Sequence, residues 1–166
     1  MNKKRFIIST LLAWLIFIMI DFIWHASLLA EFWQEDHAAL KPLKDLALLI
    51  PAGYLSFLIL TLLSGGVYLK INSADPGFKR TLKFGALFGG LFSANIIIGL
   101  FSYVELPVLF LFLTNLAYFI EIIAAVLVIR YIYYADKIKK KVFRILFIFL
   151  SGMIFGIILQ NILNAY

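Results

Sequence analysis

Five stretches of the chain run for about twenty residues or more with almost no charge, the length needed to cross a bilayer as a helix. They are Phe6–Ala30, Leu46–Leu69, Phe84–Val104, Pro107–Ile129 and Val142–Leu163. Their apolar residues do not alternate, and runs such as "FLFLTNLAYFIEIIAAVLVI" are too long for barrel strands. In lipid every backbone polar group must be paired within the protein, which leaves helices as the assignment. Composition agrees. The 166 residues are 64% hydrophobic and 14% charged, against roughly 25% charged in soluble domains. The expected fold is all-α: one integral membrane bundle of five transmembrane helices, in a single domain over residues 1–166.

The charges give the bundle a direction. Of fifteen lysines and arginines, all but Lys41 and Lys44 fall before the first run, between the second and third, or around the fourth connection. Lys41 and Lys44 share the opposite loops with Glu31, Glu35, Asp36, Asp45 and Glu105. Positive-inside asymmetry then predicts a cytoplasmic N-terminus and an outer C-terminus. The net charge of +6 is therefore read as topology and attraction to an anionic leaflet, and not as nucleic-acid binding. The opening "MNKKR" before an apolar run has the look of a signal peptide. The run is too long, however, and Leu28 sits where a cleavage site wants a small residue, so an uncleaved anchor is expected.

Several local signals fill in the joints. "DPG" at Asp75–Gly77 is a turn, and Pro51 belongs in the first turns of the second helix or at a kink. Residues 31–40 either extend the first helix or lie along the surface, with Pro42 as a break. Gly85, Gly89 and Ser93 recur every fourth residue, as do Gly152 and Gly156. Small residues at that spacing let helices approach closely in lipid, within the monomer or at a homodimer seam.

Chemistry, if there is any, has to come from a few polar residues inside the apolar runs. Asp21 lies ~14 Å below the outer end of the first helix, Tyr54 and Asn115 ~12 Å below theirs, and Asn95 ~14 Å, at 1.5 Å per residue. His25 follows Asp21 by one turn, the spacing of an i,i+4 pair. Glu121 lies deeper on the helix of Asn115. An Asp at a helix centre costs about 2.5–3.5 kcal/mol on insertion scales, so the acids should face inward, be protonated or meet a partner. Three readings follow: a hydrogen-bond network that fixes helix register, an outward pocket for ligand transport or proton coupling, and acid–base work on a lipid.

Other chemistry is excluded more firmly. The chain has no cysteine, which removes disulfides, thiolate metal sites and cysteine nucleophiles. His25, His37, Glu31, Glu35 and Asp36 lack recognisable zinc spacing, and "EDH" reads as a solvated loop. No phosphate loop, Gly-x-Ser-x-Gly or His-Glu-x-x-His is present, and Gly65-Gly66 and Gly89-Gly90 lack a nucleotide-binding setting. No metal and no cofactor is expected.

"DFIWHASLLAEFW", "AGYLSF", "RTLKFGALFGGL" and, more weakly, "ELPVLF" resemble a loose set of small bacterial four-helix inner-membrane proteins with an Asp-x-x-x-His motif in the first span. The likeness covers about the first 130 residues, and the fifth helix departs from it. It implies a bacterial cytoplasmic membrane and a role for Asp21 and His25, with no activity to transfer. The reading adopted is an accessory membrane module that binds a partner protein, a second copy or a lipid-like ligand. The alternative is a proton-linked transporter or lipid-modifying enzyme using Asp21, His25 and Glu121.

Overall fold

In the computed structural model, which describes residues 2–34, 41 and 43–163, the chain is a bundle of α-helices, with no strand among the described residues. Helix α1 spans Lys3–Asp21 and runs directly into a π-helical segment, Phe22–Leu28. A short α2 (Ala30–Gln34) follows, then α3 (Leu43–Ile71), α4 (Phe78–Phe101), α5 (Val108–Tyr133) and α6 (Ile138–Leu163). Five helices are long and apolar enough to cross a membrane: Lys3–Leu28, Leu48–Ile71, Phe78–Phe101, Val108–Tyr133 and Ile138–Leu163. Pro51 lies inside α3. Residues 31–34 form part of the separate α2, while Glu35–Leu40 and Pro42 lie outside the described residues.

Local chemistry sets where the helices begin and turn. Asn2 caps α1 by accepting the backbone N–H of Arg5 at 3.1 Å. Between α3 and α4, Asp75 accepts the N–H of Gly77 at 3.0 Å, and Gly77 takes φ of +80°, which a side chain would oppose. Pro107 opens α5 from an extended conformation, its missing N–H costing nothing at that position.

Most basic residues gather at one end of the bundle, where side chains tie the helix ends together. Arg5 donates to the carbonyl of Tyr133 at 3.0 Å, and Tyr134 donates to the carbonyl of Asn72 at 2.7 Å. Arg130 grips Asp75 in a two-pronged pair, Nε–Oδ1 at 2.7 Å and Nη2–Oδ2 at 3.0 Å. The hydrogen bond from Arg130 holds the Asp75 carboxyl below the ordinary aspartate range. The pair is partly exposed, so it fixes geometry more than it stabilises.

Helix α5 is the hub, with its broadest interfaces against α4 and α1. Its Ile122, Ala125, Val126, Ile129 and Ile132 are fully covered. They meet Leu12, Ala13, Ile16 and Phe17 of α1 and Phe57 and Tyr68 of α3 in one core. On the α4 side the seam is tight because it is made of small residues. A Cβ at Gly85 would lie 3.1 Å from the Ile123 Cα, and one at Gly89 would lie 3.1 Å from the Phe119 carbonyl oxygen. Gly152 faces Met19, and a Cβ at Gly156 would lie 2.8 Å from the Phe22 ring. Gly85, Gly89, Gly152 and Gly156 therefore face helices of their own chain.

Gly89→Leu should force α4 off α5 at a backbone atom that cannot yield, and cost about 1–3 kcal/mol. Gly53 has nothing within 4 Å of an added Cβ, so Gly53→Ala should be neutral or stabilise α3 by about 0.5–1 kcal/mol. Denaturant unfolding in mild detergent, monitored by circular dichroism, reads both.

Candidate functional site

At Asp21 the first helix changes its hydrogen-bond register. Downstream, backbone N–H groups reach back five residues, as in Leu29 N–H to the Trp24 carbonyl at 2.9 Å. Such π segments are frequent at functional sites, where the wider turn re-aims the side chains around it. Two side chains pin this one to its neighbours. Trp24 Nε1 donates to the Leu113 carbonyl of α5 at 3.0 Å, and Ser27 Oγ donates to the Gly156 carbonyl of α6 at 3.0 Å.

Within this frame His25 Nε2 stands 3.7 Å from Asp21 Oδ1. That is ion-pair range and too long for a hydrogen bond. The other ring nitrogen has a partner: Trp33 Nε1 donates to His25 Nδ1 at 3.1 Å. An indole N–H can only donate, so Nδ1 carries the lone pair and a neutral imidazole places its proton on Nε2, toward Asp21. Trp33 is itself braced edge-on by Phe110, with centroids 5.0 Å apart. The His25 and Asp21 side chains remain 19% and 20% exposed, so the pair can be approached from outside the bundle.

The remaining candidates divide. Glu121 is 1% exposed and neither carboxyl oxygen has a partner. Asn115 is equally buried; its amide donates to the Leu111 carbonyl at 2.7 Å while its Oδ1 is left unpaired. Thr10 and Ser93 add two more unpaired buried hydroxyls. Asp21 lies near Tyr54 and Glu121. The Tyr54 carbonyl is held by Trp14 Nε1 at 2.8 Å. Asn95 does not join this group. It is exposed on α4, between Leu91 (66% exposed) and Ile98 (70%) on the same face.

Tyr118 also belongs to the site, though it was not among the residues expected there. It packs edge-on against Phe17, Phe57 and Phe92, and lies near Glu121 and Asp21. Its signal was its place on α5, one turn from both Asn115 and Glu121. Among the described residues no three His, Asp or Glu side chains come together. Glu35, Asp36 and His37 lie outside the described residues.

Chemically, the Asp21–His25 pair can exchange a proton or hydrogen-bond a polar group presented from outside. Ser27, the nearest hydroxyl in sequence, is committed to the Gly156 carbonyl. Comparisons of the chain with family models, with curated proteins and with solved structures found no match.

Trp33→Phe keeps the ring against Phe110 and removes the donor that orients His25. Nitrogen NMR of the labelled imidazole should show the Nε2–H tautomer in the wild type and a mixture of tautomers in the variant. The Nδ1–H tautomer in the wild type would contradict the assignment.

Proposed function

We propose that this protein is a small multi-pass protein of a bacterial inner membrane, with its N-terminus cytoplasmic and its C-terminus outside. In this reading it is an accessory module, without an enzymatic activity of its own, that binds a partner helix or a lipid-like ligand within the bilayer. The placement rests on the five apolar helices, on the gathering of basic residues at one end, and on the resemblance of the first 130 residues to small bacterial membrane proteins.

The observation that carries the binding role is Asn95. Its side chain makes no hydrogen bond among the described residues, and it projects from an otherwise apolar, exposed face formed by Leu87, Leu91 and Ile98. An amide has two N–H donors and a carbonyl acceptor to satisfy. Moving such a group out of water without compensating hydrogen bonds costs roughly 2–7 kcal/mol. In membranes Asn side chains bond across helices, which is a direct remedy. A partner helix, from another protein or a second copy, would cover the α4 face and meet the amide.

A second reading has its own support. The proton on His25 Nε2 faces Asp21, and both groups are accessible. That arrangement suits proton-linked transport or acid–base work on a lipid, with Glu121 as the deeper acid.

The two readings separate in native mass spectrometry of gently extracted protein, comparing wild type with Asn95→Leu and Asp21→Asn. The binding module should carry a stoichiometric bound species that Asn95→Leu loses and Asp21→Asn keeps. A bare monomer in all three samples would sink this reading and direct proton-flux assays at Asp21 and Glu121. Loss in Asp21→Asn alone would move recognition to the acid.

A further inference from the structure

The start of α6 and the bend before it hold a second feature, remote from Asp21 and Asn95 in sequence and at the opposite, basic end of the bundle. Lys140 and Lys141 stand four and three residues before Arg144 on α6, which sets all three on one side of the helix, and Lys137 lies in the bend just before it. With Asp136 they line a cleft of about 250 Å³. Lys140 and Arg144 also border a wider groove of about 580 Å³, whose other walls are Phe143, Phe147 and Ile148. The cationic cleft and the apolar groove therefore share two residues and form one amphipathic surface.

Three further facts make this surface more than a scatter of lysines. Tyr131 of α5 organises two of the cations without neutralising them. Arg144 Nη1 donates to its hydroxyl at 3.3 Å, and Lys141 Nζ sits 4.5 Å over its ring. Among the described residues none of the four cations forms an ion pair, whereas Arg130 nearby is neutralised by Asp75. The apolar wall is open: Phe143 is 74% exposed, Phe147 71% and Ile148 49%. It flanks Arg144, with Phe143 beside it and Phe147 about one helical turn, ~5 Å, further along α6.

We propose that this surface binds one anionic phospholipid, its headgroup phosphate among Lys137, Lys140, Lys141 and Arg144 and an acyl chain along Phe147 and Ile148. The proposal rests on the reading of the helices as membrane spans and is independent of what covers Asn95. Four cations against Asp136 leave an excess positive charge that a zwitterionic headgroup answers poorly. Arginine's planar fork matches phosphate oxygens, and lysines add charge around it. Clustered basic residues at the membrane surface attract anionic headgroups. The adjoining apolar groove selects a lipid over a soluble phosphate, which has no use for Phe147.

The test offers the full-length protein, in mild detergent, an equimolar mixture of dioleoyl phosphatidylglycerol and dioleoyl phosphatidylcholine, read by native mass spectrometry. The wild type should retain one phosphatidylglycerol with a preference of about tenfold. Lys140→Gln with Arg144→Gln should abolish that preference. Lys79→Gln with Lys139→Gln removes two charges from the same end that do not line the cleft, and should leave the preference intact. Phe147→Ser should lower retention of both lipids. All substituted side chains are exposed, and an unchanged melting transition confirms the fold of each variant. Equal loss of preference in the two double variants would overturn the proposal in favour of diffuse attraction. Displacement of the lipid by millimolar inorganic phosphate would overturn it in favour of a soluble-anion site.

Discussion

Helix α5 touches α1, α3, α4 and α6, and under the proposal that these helices lie in a bilayer, that packing cannot draw on the hydrophobic effect, because lipid tails are as apolar as leucine. What remains is dispersion, which falls away steeply as surfaces separate. The sequence meets this with small side chains where helices cross: Ala117 and Ala125 on α5, Ala13 on α1, and Gly85 and Gly89 on α4. The second resource is the hydrogen bond from a side chain of one helix to a backbone carbonyl of another. Trp14 reaches Tyr54, Trp24 reaches Leu113 and Ser27 reaches Gly156. Each bond adds a direction to a contact that dispersion alone would leave free to slide.

The candidate site follows from those same bonds. Trp24 and Ser27 hold the π segment between α5 and α6, and the segment sets how His25 stands against Asp21. Trp33 then chooses the tautomer. Three aromatic or hydroxyl side chains thus turn an ordinary i,i+4 pair into an oriented one. Glu121 and Asn115, sealed and incompletely paired, sit in the interior that this packing closes. Each unpaired buried oxygen is a cost that packing elsewhere has to offset.

How much was legible in the sequence differed by level. Uninterrupted apolarity located the five long helices, since no other backbone state satisfies itself in lipid. Their ends were less legible. The run beginning at Phe84 belongs to a helix that starts at Phe78, because Lys79, Arg80 and Lys83 interrupt apolarity without breaking backbone hydrogen bonds. The π segment had no signature, as the shift from fourth to fifth neighbour requires no particular residue. For Asn95 the helix was legible but its facing was not. Ser93 is buried and Asn95 exposed, two residues and therefore roughly 200° apart. Trp33 and Tyr118 stood outside the expected site because, in a chain that is 17% aromatic, spacing alone does not separate one ring from the others until its neighbours are known.

The central claim is that the α4 face around Asn95 is covered in the native membrane. Because the chain has no cysteine, a single Leu91→Cys can carry a spin label on that face, with Leu150→Cys on exposed α6 as a lipid-facing reference. Collision with dissolved oxygen, measured in native membranes, reports contact with lipid directly. The account predicts a protected label at Leu91, rising to the Leu150 level once Asn95→Leu is added. Lipid-like oxygen collision at Leu91 with Asn95 intact would contradict it.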